Sequence, residues 1–206
     1  MGLLHSLKDW IAGTGDPVAD RAGLVDFIDA RSAFIAQKCV VEFCRVRAGV
    51  YWQKLFSEEE FRTALAASCW TSFPPAAAMV AEMVEGVLRE PAGLSQRRLP
   101  DALTGVVADV FARHPVPSGM DATFWAEGLA LVRSRLEATQ ASAPRPVRQV
   151  AKPMAKRIHA ALPIHESLVT HDYDYIRNNL RMNLLRAHED LLRSLNARAV
   201  VDELLN

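Results

Sequence analysis

Residues 19–56 read ADRAGLVDFIDARSAFIAQKCVVEFCRVRAGVYWQKLF, a stretch without a single proline. Apolar side chains recur through it at Leu24, Phe27, Ile28, Phe34, Ile35, Val41, Val50 and Trp52, the recurrence of an α-helix rather than of a strand. The pattern predicts one long helix, or two in line with a bend near Gly49. Its middle, Cys39 to Val50, is apolar on more than one side, which marks a buried central helix. Such a helix needs other helices around it, so the expected fold is all-α, a bundle of about five to seven helices.

The flanking sequence supplies them. Leu3, Leu4, Leu7 and Ile11 share one face of a short amphipathic helix, expected to dock on the bundle and ended by Gly13-Thr14-Gly15-Asp16-Pro17. Ser57 before Glu58-Glu59-Glu60 reads as a cap followed by first-turn acids. That helix is expected to stop near Trp70, ahead of Pro74-Pro75. A second starts at the prolines and runs to about Arg89, with Met79, Val80, Met83, Val84 and Val87 as its stripe. Pro100 opens another, with Leu103, Val106, Val107, Val110 and Phe111 inward. Ser118 to Thr139 gives one more, built on Phe124, Trp125, Leu129, Leu131, Val132 and Leu136. No sustained period-two alternation predicts a strand, and no fixed repeat is visible.

Charge is distributed in blocks. The whole chain is neutral, with 24 basic and 24 acidic residues, which argues against a dedicated nucleic-acid binder. Residues 1–139 carry a net −3, residues 140–163 a net +5 with no acid at all, and residues 164–206 a net −2. The middle block holds Arg145, Arg148, Lys152, Lys156 and Arg157 together with Pro144, Pro146, Pro153 and Pro163. It reads as a basic proline-containing linker between a helical bundle and a C-terminal helical arm. Its cations suit phosphate groups, anionic lipid or an acidic protein surface equally.

In the arm, Thr170 is placed to cap a helix whose seam is Tyr173, Ile176, Leu180, Leu184, Ala187, Leu191 and Leu195. The steps of three and four resemble a coiled-coil or bundle seam. Asn196 marks a break before a terminal helix carrying Val200, Val201, Leu204 and Leu205. Forty residues cannot bury this seam alone, so it docks on the bundle or meets a second chain. Tyr173, Ile176, Leu180, Leu184, Leu191 and Leu195 are therefore the expected partner-binding residues, with Arg177, Arg181, Arg186, Asp190 and Arg193 as flanking charges.

Catalytic and metal chemistry find little footing. No Glu has a His three residues later, as inward-facing di-iron sites require, and no two of the six histidines stand four apart. The glycines form no phosphate-binding loop. Asp172-Tyr173-Asp174-Tyr175 lacks the spacing to aim both carboxylates at one metal, and first-turn acids account for it. Arg31, Lys38, Glu42 and Arg45 fall on one stripe of the long helix, either lining a ligand cavity beside Gly49, Tyr51 and Trp52 or forming a solvated edge with Lys38 and Glu42 paired. Trp52, Trp70 and Trp125 are read as core.

Cys39, Cys44 and Cys69 are odd in number and lie among helical apolar residues, as buried free thiols do rather than a disulfide framework. Gly2 to Ser6 fits a myristoylation pattern, but 19 Arg against 5 Lys suggests a GC-rich bacterial genome in which that signal is not read. No apolar run spans a bilayer and no secretory signal is apparent, so the expected address is the cytoplasm. Peripheral membrane contact is a lesser possibility, since the amphipathic face at the N-terminus is short and Lys8 is offset by Asp9.

The leading functional expectation is a non-enzymatic helical interaction protein, an accessory, adaptor or assembly factor binding another protein or itself, without a cofactor. The alternative is a small-molecule binder or enzyme using a cavity between helices.

Overall fold

A computed structural model describes residues 17–164 and 172–206. Among these the elements are α1 (Arg21–Ala48), a 3₁₀ turn (Gly49–Tyr51), α2 (Trp52–Ser57), α3 (Glu59–Ala92), a second 3₁₀ turn (Gly93–Arg98), α4 (Leu99–Ala112), α5 (Phe124–Thr139), α6 (Val147–Val150), α7 (Lys152–Ala160), α8 (Tyr173–Ser194) and α9 (Ala197–Leu205). The fold is all-α, as the periodicity predicts. The extended pairing among the described residues is one bridge between Val18 and Leu195. The amphipathic stretch Leu3–Ile11, and Thr170 with its capping role, lie outside the described residues.

α1 is the central helix. Asp20 caps it by accepting from the Gly23 amide at 2.7 Å. From Leu24 to Cys44 it is buried on most of its circumference, Ser32 and Gln37 included. It packs against α3, α4, α8 and α9. The expected bend falls at Gly49, whose φ of 55° and ψ of −130° suit only a residue without Cβ. Beyond the bend the apolar pattern is not buried: Val50 is 88 % exposed, and Trp52, expected in the core, is 37 % exposed.

Ser57 does not cap α3. Its hydroxyl donates to the Lys54 carbonyl at 2.6 Å and so closes α2, while the extended Glu58 starts the next helix. α3 itself corrects the sequence reading, because it runs unbroken through Pro74 and Pro75. A proline lacks the N–H that would meet the carbonyl four residues back, a cost of about 3 kcal/mol in an exposed helix. Here both prolines are buried, and their rings are packing surface. A Cβ built on Gly128 of α5 would lie 3.0 Å from Pro74 Cβ and 3.3 Å from the Phe111 ring. Glycine at 128 is what lets α5 approach the proline.

The basic stretch corrects the reading further. It is not an extended linker: residues 147–150 and 152–160 are helical, with Val150, Met154, Ala155 and Ile158 buried in the same core as α1 and α3. Pro153 sits in the first turn of α7, where a missing N–H costs nothing. Residues of the expected bundle, linker and arm thus share one apolar core.

The end of α8 is fastened to the start of the described chain. Val18 donates to the Ser194 carbonyl at 2.9 Å, and the Asn196 amide donates back to Val18 at 2.8 Å. Asn196 breaks the helix as expected, and its side chain accepts from the Ala199 amide to cap α9. The three cysteines are free and buried. Burial pushes each thiol up to about 12, so they act as small apolar groups.

Two glycines of this frame should respond in opposite directions. Gly128→Val forces a branched side chain against Pro74 and Phe111 and should cost about 1–3 kcal/mol. At Gly86, inside α3, the nearest atom to a Cβ is Pro144 Cβ at an ordinary 3.6 Å, so Gly86→Ala should stabilise by about 0.5–1 kcal/mol. Thermal melts of both variants test the pair. An undiminished melting temperature for Gly128→Val would contradict the close α3–α5 contact.

Candidate functional site

The seam of the arm is spent within the chain. Ile176, Leu180, Leu184, Ala187 and Leu191 are buried, and α8 packs against α1, α3, α6 and α7. Tyr173 and Leu195, at its two ends, are half-buried against the same core. Of the expected partner-binding residues, the structure therefore places Ile176, Leu180, Leu184 and Leu191 inside the protein and Tyr173 and Leu195 at the margin of its core. The reason is length: α8 lies beside α1, which needs an apolar neighbour along its full face. Charges confirm the alignment, with Asp190 3.1 Å from Arg31 and Asp172 2.6 Å from Arg47. Arg31 precedes Arg47 along α1 whereas Asp190 follows Asp172 in the chain, so the two helices are antiparallel.

The charged stripe on α1 does not gather into a ligand site. Arg31 turns to Asp190 and lies over the Phe27 ring at 5.5 Å. Lys38 lies over the Phe34 ring at 5.6 Å, and Glu42 pairs with Arg45 at 3.1 Å rather than with Lys38. Neither of two surface recesses touches these residues. One, of about 550 Å³, is lined by Gly86, Arg89, Gly93, Leu94 and Pro144 among others. The other, of about 300 Å³, is lined by Phe111, His114, Trp125 and Leu129 with neighbouring alanines.

Two clusters escaped the sequence reading. Glu82, Glu85 and Arg89 are buried on α3. Arg89 grips Glu85 with two 2.8 Å hydrogen bonds and donates to the carbonyls of Ser142 and Thr139. Gln140 donates to the same carboxylate at 2.8 Å, and Arg135 donates to Glu82 at 2.5 Å. Arg145, one of the five strap cations, stands 3.6 Å from Glu82. Burial raises both carboxyls against the pull of these arginines. The network clips residues 139–145 to α3. Glu82 and Glu85 stand three apart and Arg89 four further on, a spacing that also describes countless solvated helices. Burial is what distinguishes it.

The second cluster is aromatic. Trp70, Phe73, Phe111, Trp125 and His114 pack ring to ring at 4.8–6.1 Å. His114 Nε2 lies 2.9 Å from Asp29. Trp70 and Trp125 belong to the core margin, as their sequence reading expects. Among the described residues no group of three or more His, Cys, Asp or Glu is disposed to hold a metal ion, and no helix is long and apolar enough to cross a membrane.

Two exposed groups of residues lie near the start of α8. Arg148, Lys152, Lys156 and Arg157 are exposed, set opposite the buried Val150, Met154 and Ile158. The packing of those three fixes which way the cations face. At the turn from α1 into α2, Val46 is 55 % and Tyr51 73 % exposed, beside Val50 and Trp52. Trp52 stacks edge-on against Phe56, which meets Phe61 of α3, so the tip is tied to the core. No protein family, curated protein or solved structure matches this chain.

Replacing Leu180 or Leu191 by Ala should each cost about 2–5 kcal/mol, with no change in sedimentation mass, because the seam is internal. A smaller mass with an unaltered melt would show the seam to be intermolecular. For the buried network, Arg89→Met should cost about 3–5 kcal/mol by stranding Glu85, and Glu85→Met in the same chain should restore most of it. A carboxyl whose folded pKa exceeds its unfolded one holds its proton more tightly in the native state. The Arg89→Met deficit should therefore be smallest at acid pH and grow as pH rises through the raised Glu85 value. Urea melts at acid and neutral pH measure this, and a deficit independent of pH would count against the assignment.

Proposed function

We propose that this chain is a helical interaction protein, without catalysis of its own, that docks on a larger cellular surface, protein or membrane, through the end of the bundle formed by the α1–α2 turn, α7 and the start of α8. The observation that carries the reading is the exposure of Val46, Val50, Tyr51 and Trp52 at one tip. Scattered single apolar residues on a surface need no explanation, but contiguous ones mark contact sites. The tip departs from the pattern of its own helix: the same apolar run that is buried from Leu24 to Cys44 emerges uncovered after Arg45.

The arm supports this reading differently from its sequence expectation. It contributes the base of the contact end rather than its own seam, because the seam is already buried against α1. The cavity reading loses the basis it had in the sequence, since the Arg31–Arg45 stripe lines neither recess.

A photo-reactive benzoylphenylalanine at position 51, compared with the same group at the exposed Leu94 beyond the far end of α3, tests the proposal in living cells. A discrete cross-linked species from position 51 and none from position 94 is the expected result. Equal labelling from both positions would remove the proposal, and so would no labelling from either in a chain that also fails to attach to a membrane surface.

A further inference from the structure

Three elements converge on the first turn of α8. From α1, Arg47 reaches Asp172 at 2.6 Å and Phe43 meets the Tyr175 ring at 6.0 Å. From α7, the Lys152 carbonyl accepts from the Tyr173 hydroxyl at 3.4 Å, and the His159 ring lies 6.1 Å from the Tyr173 ring. The end of α1, from which the apolar tip continues, and α7, which carries the cations, therefore border the same few residues. Resting on the docking reading above, we propose that this end of the molecule binds the surface of an anionic lipid bilayer. Val50, Tyr51 and Trp52 enter the headgroup–acyl boundary, and Arg148, Lys152, Lys156 and Arg157 face the lipid phosphates.

The shape of the site favours lipid over a protein groove. Val50, Tyr51 and Trp52 stand on the turn between α1 and α2, and none of the three lines either recess. A protruding point gains burial from a yielding medium without matched shape. Its chemistry agrees: Trp and Tyr settle at the level of the headgroups, with Lys and Arg beside them. A nucleic acid would engage the cations and leave the aliphatic Val46 and Val50 in water. Neither feature suffices alone, since stable attachment to a bilayer takes two signals, and this end carries two.

The charges here can be followed group by group. Glu42, Asp172 and Asp174 are each paired, with Arg45, Arg47 and Arg177. Glu58, Glu59 and Glu60 are exposed beside the tip and oppose an anionic surface, with Lys54 and Arg62 close to them in sequence. The four cations of α6 and α7 have no ion-pair partner among the described residues, so their field is not cancelled locally. Each cation held near an anionic surface contributes roughly a fivefold factor in binding.

The full chain should sediment with phosphatidylcholine vesicles containing phosphatidylglycerol, not with phosphatidylcholine alone, and should be released by salt. Lys152→Glu with Lys156→Glu should weaken binding by more than about tenfold. So should Val50→Ser with Tyr51→Ser, and both pairs should keep the wild-type melting temperature because all four side chains are exposed. Failure to bind anionic vesicles, or binding unchanged in both double variants, overturns the lipid assignment. So does salt-sensitive binding to single-stranded nucleic acid that needs the lysines and ignores the tip. A protein cross-linked at position 51 without vesicle binding would overturn it too while leaving the docking reading intact. Absence of both vesicle binding and cross-linking would remove the two together.

Discussion

A helix that is apolar around most of its circumference has to be enclosed, and α1 sets the terms for the rest of this molecule. Twenty-eight residues at 1.5 Å each make it about 42 Å long, so short neighbours cannot cover it. α3 lies along one side and α8 along another, with α4 and α9 closing the remainder. Side chains such as Leu24, Ile28, Ile35 and Phe43 each contribute about 1.5–3 kcal/mol by leaving water. Its apolar residues lose their cover after Arg45, and the exposed tip is the result.

Enclosing α1 also explains why polar groups are buried beside it. α3 is long enough to reach past α1 into the region where α5 and the 139–145 turn pack, and there it carries Glu82, Glu85 and Arg89 inside. Charges in such a place are tolerable when every one is partnered. The arginines and Gln140 supply the partners and in doing so fasten the turn that leads into α6. Stability bought in this way is small, but the position of α6 and α7, and hence the direction of their cations, follows from it.

The end proposed for docking is a consequence of packing rather than a separate module. α7 presents Arg148, Lys152, Lys156 and Arg157 outward because Val150, Met154 and Ile158 are held inward. α8 brings Tyr173 to α7 and Asp172 to α1, so two surfaces distant in sequence become adjacent.

Much of the helical pattern was determined by the sequence itself. The central helix, the bend at Gly49, the start of α4 at Pro100, the α8 seam and the break at Asn196 each rest on residues close together in the chain, where period, capping and φ preference operate. What covers each face was decided by the tertiary structure. Pro74 and Pro75 stop a helix by local rule, yet α3 continues with both buried, and Gly128 admits α5 against the Pro74 ring. The acid-free stretch after Gln140 reads as linker by composition, yet a few apolar residues at helical spacing suffice once α3 and α8 provide a surface. The seam of α8 fits a second chain or its own bundle equally well. Only the presence of α1 beside it, with Arg31 and Arg47 opposite Asp190 and Asp172, selects between them, because local sequence encodes a face and not its neighbour.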